Sequence, residues 1–97
     1  MRQKGPVMTA KATIINEIIV RAGSSYTAWR IGITNDLAER KTYWKETKKQ
    51  NVNSWTEWTA DSLADARAIE DHFINEKKMR GGVGGDLASS PVYVYIF

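Results

Sequence analysis

A chain of 97 residues with no cysteine and a single histidine must hold itself together by packing alone. Disulfide scaffolds, thiolate zinc sites, cysteine nucleophiles and iron–sulfur clusters are excluded, and His72 has no partner for a multi-histidine metal centre. The length allows one domain with one core, used economically. The apolar run Ala12 to Val20 is broken by Asn16 and Glu17 and is shorter than the ~18–20 residues a membrane span needs. A soluble, cytoplasmic domain over residues 9–97 is expected, behind a flexible tail at 1–8 and with no signal peptide.

Periodicity assigns the elements. Ile15, Ile18, Ile19 and Ala22 recur at helical spacing before Gly23, which predicts a helix over Thr9 to Ala22. From Tyr26 to Thr34 the period becomes two, with Trp29, Ile31 and Ile33 on one side and Ala28, Arg30 and Gly32 on the other, as in a strand. Asp36 and Glu39 have capping-box spacing and open a second helix that runs to about Lys49. Trp55 to Thr59 reads as a short strand whose two tryptophans fall on opposite faces. Ser62 and Asp65 cap a third helix that ends at Gly81-Gly82 after Lys77, Lys78 and Arg80. Gly82 to Gly85 is a turn, since a phosphate-binding loop would feed a helix N-terminus and this one follows a helix. Val92 to Ile96 alternates aliphatic residues with Tyr93 and Tyr95 and closes the chain as a strand. The expected fold is therefore α/β of the α+β type, a small three-stranded sheet packed with about three helices.

Two features carry chemistry. The second helix holds Arg40, Lys41, Lys45, Lys48 and Lys49 against Glu39 and Glu46, a surplus equal to the +3 of the whole chain. Basic residues with Trp44 and Tyr43 between them suit a nucleic-acid backbone, so Lys41, Trp44, Lys45 and Lys48 are candidate contacts; a solvated lysine face with Trp44 in the core is the alternative. In the third helix Leu63, Ala66, Ile69, Phe73 and Ile74 form an apolar stripe, and Glu70 falls inside it, about 20° from Leu63 at ~100° per residue. A carboxylate there must sit at the core's edge, pair with a cation such as Arg30 or Arg40, bind a metal or stay protonated. His72 lies away from the stripe, towards solvent.

The run Arg30-Ile31-Gly32-Ile33-Thr34-Asn35-Asp36-Leu37-Ala38-Glu39-Arg40 resembles the second half of the GIY-YIG endonuclease pattern, a strand ending in Tyr-Ile-Gly, a Thr/Asn turn and a helix with an arginine. Ser62 to Glu70 resembles that family's second signature, a Ser-Leu start, an alanine and a glutamate after an aliphatic residue. The resemblance implies hydrolysis of DNA phosphodiesters. In it a tyrosine helps deprotonate water, the arginine (Arg40) stabilises the transition state, and the glutamate (Glu70) binds one Mg²⁺ or Mn²⁺. Arg30 stands where the strand tyrosine is expected, and the Gly-Ile-Tyr strand that precedes it in the family is not recognisable. Tyr26 could replace the tyrosine, being on the Arg30 face by parity. Alternatively, the closing strand takes the missing strand's place in a permuted arrangement, returning Tyr95 or Tyr93 to the site. Two functions are implied: a divergent metal-dependent nuclease, or an inactive domain of that fold that binds nucleic acid or a protein partner.

Overall fold

In a computed structural model, which describes residues 8–81 and 87–97, the alternating segments in the middle and at the end of the chain form the centre of the fold. The elements are helix α1 (Lys11–Ala22), a 3₁₀ turn (Tyr26–Ala28), strand β1 (Arg30–Thr34), helix α2 (Leu37–Thr42), strand β2 (Thr56–Thr59), helix α3 (Leu63–Asp71), strand β3 (Arg80–Gly81) and strand β4 (Tyr93–Ile96). Helices α2 and α3 each run on into a wider π-helical turn, Tyr43–Thr47 and His72–Glu76. The molecule is an α+β fold, with three helices and a four-stranded mixed sheet in the order β2-β4-β1-β3. No helix among the described residues is long and apolar enough to cross a membrane.

The sheet has four strands where three are expected. The addition is β3, whose two residues pair in parallel with Arg30 and Ile31. It exists because α3 stops early: its π turn ends before Lys78, which takes a positive φ of 67°, and Met79 then donates to the Phe73 carbonyl. Lys49 (φ 56°) ends α2 in the same way, so lysines occupy backbone positions where sequence reading looks for glycine. Gly81 belongs to β3, where a Cβ would strike the Ile31 carbonyl oxygen; Gly82 to Gly85 lie outside the described residues, as do residues 1–7 of the expected tail.

Other boundaries also move. The strand expected from Tyr26 begins only at Arg30, because Tyr26–Ala28 form a turn closed by Trp29 N–H to the Tyr26 carbonyl. Helix α1 starts at Lys11, and Thr9 instead bridges to Ala60 beside the sheet. Its buried stripe is Ile14, Ile18 and Ala22, while Ile19 is 36% exposed. The run of adjacent isoleucines offers two neighbouring stripes at helical spacing, and packing selects the one containing Ile14. Gly23, at φ 62°, ends the helix as expected, donating to the Ile19 carbonyl.

Alternation gives the sheet two faces. Ile31, Val94, Ile96 and Trp58 face one side and join Ile14, Ile18, Ala66, Ile69 and Phe73 from α1 and α3 in the main core. The Trp58 indole N–H donates to the Glu17 carboxylate at 2.7 Å, tying β2 to α1. On the other face a second cluster gathers Trp44, Val52 and Tyr95 with Tyr43, Trp55 and Phe97. Of the two tryptophans expected on opposite faces, Trp58 thus serves the main core and Trp55 the second cluster. Strand β4 lies between β1 and β2 and runs antiparallel to both, with Tyr95 opposite Gly32 on one side and Glu57 on the other.

Candidate active site

Strand β4 presents Tyr95 across Gly32. A Cβ built on Gly32 would land on the Tyr95 hydroxyl and ring carbons, so only glycine leaves room for the phenol. The hydroxyl accepts a 2.9 Å hydrogen bond from the Trp44 indole N–H, and Tyr95 is 3% exposed. One lone pair is thereby used, and the phenolic proton is left to donate. Trp55 stacks on the Tyr95 ring at 4.4 Å and 7°, and the Phe97 ring lies within 6.2 Å. The phenol is held from three directions.

Two guanidinium groups border this cluster. Arg30, on the same face of β1 as Gly32, lies 4.5 Å over the Trp44 ring, and Arg40 of α2 lies 4.9 Å over Tyr43. Arg40 reaches this position because Asp36 caps its helix: the Asp36 carboxylate accepts from Glu39 N–H at 3.0 Å, as the capping-box spacing predicts. The Nε atoms of both arginines are buried and have no hydrogen-bond partner among the described residues. Buried donors are normally bonded, and a charged fork is best satisfied by an oxyanion.

Glu70 is buried, 8% exposed, at the turn where α3 widens. Burial pushes its carboxyl above the ordinary carboxylate range; the neighbouring charge of Asp71 adds to the rise and Arg67 opposes it. Tyr95 also titrates above its ordinary range, chiefly through burial, against the hydrogen bond from Trp44 and the charge of Arg40; Glu70 pushes it up and Arg30 down. The phenol therefore feels Arg40, Glu70 and Arg30 together. At neutral pH it carries its proton.

Sequence reasoning names Arg40, Arg30, Tyr95 and Glu70; the two arginines border the aromatic cluster that holds Tyr95, and the charge of Glu70 reaches the phenol from α3 without contacting it. Tyr26 is placed elsewhere: its ring packs on Phe73 of the main core, 6.2 Å between centroids, with the Lys77 ammonium 5.4 Å away. The parity argument for Tyr26 fails because the residue precedes the strand. Trp44 is 9% exposed with its N–H given to Tyr95, which makes it a wall of the site and not a surface for stacking a base. Lys41, Lys45 and Lys48 are exposed, with Lys41 over Trp55 and Lys48 near Tyr43. His72, expected to face solvent, is half-buried and meets the edge of Phe73.

Some of the site escapes sequence reading. Trp55 and Phe97 support Tyr95, and the alternation Tyr93, Tyr95, Phe97 is the one signal that marks an aromatic face. Asn35 binds the segment leading into β4, donating to the Ala88 and Pro91 carbonyls at 3.0 and 2.6 Å and accepting from Ala88 N–H at 2.8 Å. It joins the turn after β1 to the approach of the strand that carries Tyr95.

No group of three or more His, Asp or Glu that could hold an ion gathers among the described residues. Glu70 alone is nevertheless compatible with Mg²⁺, which takes one or two carboxylates and keeps several waters, and a cation would relieve the desolvation of the buried carboxylate. Comparisons with protein-family models, with curated proteins and with solved structures gave no match.

Proposed function

We propose that this chain is a divergent, permuted GIY-YIG-like nuclease domain that hydrolyses DNA phosphodiesters with one Mg²⁺ or Mn²⁺ held by Glu70. The observation that carries the reading is the pair of guanidinium groups at the Tyr95 cluster: Arg30 and Arg40 keep buried Nε atoms with no partner among the described residues, and Arg30 lies 4.5 Å over the Trp44 ring whose N–H holds the Tyr95 hydroxyl. The permutation is supported by the place of β4: it pairs with the strand bearing Ile31-Gly32 and sets a tyrosine over that glycine. The last strand so fills the role of the family's missing first one.

Each residue then has a task. The guanidinium forks of Arg30 and Arg40, whose buried Nε–H groups have no partner among the described residues, bind the non-bridging phosphate oxygens and stabilise the charge that builds on them. Cation–π contact with Trp44 and Tyr43 fixes both forks before the substrate arrives. Tyr95, protonated at neutral pH, donates to a non-bridging phosphate oxygen; its raised pKa keeps it from serving as the base, so the proton of the attacking water passes to bulk solvent. Glu70 would hold the divalent ion, which when bound would supply Lewis-acid stabilisation of the phosphoryl group.

Single-turnover cleavage of branched, single-stranded and double-stranded DNA with Mg²⁺ tests the reading. Glu70→Ala and Arg40→Ala are expected to lower the rate by about 10²-fold or more. Trace activity that is equal in wild type and both variants would reject it. Arg30, standing where the strand tyrosine is expected, favours a second reading, a domain that binds nucleic acid without cutting it; binding that weakens steeply with salt and no cleavage in any metal would select that alternative.

A further inference from the structure

Beside the aromatic cluster an open groove of ≈ 530 Å³ runs between α2 and the loop before β2, lined by Ala38, Lys41, Thr42, Lys45, Val52 and Asn53. That volume lies within the ~300–1,000 Å³ typical of small-ligand sites, enough for a nucleotide. Its chemistry is mixed. Two exposed lysines provide cations, Val52 belongs to the aromatic cluster, and Lys41 also lies 5.7 Å over the ring of half-buried Trp55, so one residue joins the groove to the indole stacked on Tyr95.

We propose that this groove receives an unpaired nucleotide of the strand whose phosphate Arg30 and Arg40 hold, and that the preferred substrate is single-stranded at that point. The inference rests on the nuclease reading for the position of the phosphate. Lysines alone would serve a duplex as well as a single strand, because both expose phosphates. The indole and valine beside them distinguish the two: a base in a duplex has its faces covered by its neighbours, whereas an unpaired base can lie against an aromatic ring. Lys41 moves from the indole to the phosphate as the base arrives, and Asn53 is placed to meet a base edge.

Equilibrium binding without divalent ion separates this inference from cleavage. The probes are a short fluorescent single-stranded DNA and a blunt hairpin of the same composition. Wild type is expected to bind the single strand about tenfold more tightly than the hairpin. The double variant Lys41→Glu/Lys45→Glu, exposed and outside the catalytic group, should lose about tenfold for the single strand; Trp55→Ala should erase the preference and Trp55→Phe should keep most of it. Equal or tighter binding of the hairpin by wild type overturns the proposal, as does a preference that survives the lysine variant and Trp55→Ala, or no binding to either probe. Cleavage that persists while the strand preference fails removes this inference and leaves the nuclease reading standing; strand preference without cleavage does the reverse.

Discussion

At the scale of single residues, the most constrained position is Gly32. Any side chain there collides with the Tyr95 phenol, and that phenol is hemmed in by Trp44 and Trp55, so it has little room to yield. Gly32→Ala should cost about 1–3 kcal/mol, the range for forcing a methyl into a packed site, and thermal melting would read this as a drop of several degrees. Glu70 behaves in the opposite sense. Its native carboxyl holds its proton more tightly than in the unfolded chain, so its contribution to stability is complete at acid pH and is lost as pH rises through the native pKa. Glu70→Gln should therefore raise the urea midpoint at about pH 7 and leave it nearly unchanged at about pH 4. The same variant should lose the stabilisation that added Mg²⁺ gives the wild type. A Glu70→Gln protein less stable than wild type at neutral pH would show that the carboxylate is a structural ion-pair partner.

At the scale of elements, the site depends on where α2 begins. Asp36 caps it, Arg40 follows one turn later, and Thr34 hydroxyl and Asp36 bond one another across the turn from β1. Asp36→Ala should destabilise the protein by about 1 kcal/mol, seen in the denaturant midpoint, and lower cleavage further through a misplaced Arg40. Both caps were legible in the sequence, because Asp36–Glu39 and Ser62–Asp65 satisfy local backbone donors whatever the tertiary context. The end of the second helix, expected at about Lys49, was legible too, and the end of the third, expected at Gly81-Gly82, was not. Sequence reading looks for glycine at a left-handed stop, and here Lys49 and Lys78 adopt that conformation after π turns set by packing. Strand β3 was hidden for the same reason: two residues carry no periodicity, and parallel pairing with β1 is a long-range event.

At the scale of the molecule, the two faces of the sheet divide the labour. Helices α1 and α3 supply the main core on one face, and α2 with the aromatic cluster builds the site on the other, with Glu70 reaching the shared electrostatic neighbourhood from α3. Sequence reasoning found Glu70 because it breaks an apolar stripe, and Arg40 through the resemblance carried by the run Arg30 to Arg40. Choosing Tyr95 over Tyr26 required the pairing of the last strand beside β1, which no local pattern encodes. Tyr95 is also the residue on which the whole reading turns, and Tyr95→Phe removes its hydroxyl while keeping the ring that Trp55 and Phe97 pack against. The decisive measurement is the single-turnover rate of DNA cleavage with Mg²⁺ by wild type and by Tyr95→Phe, each shown to be folded. A loss of about 10²-fold on removal of that one oxygen is predicted; an unchanged rate would mean that the closing strand supplies packing and no chemistry.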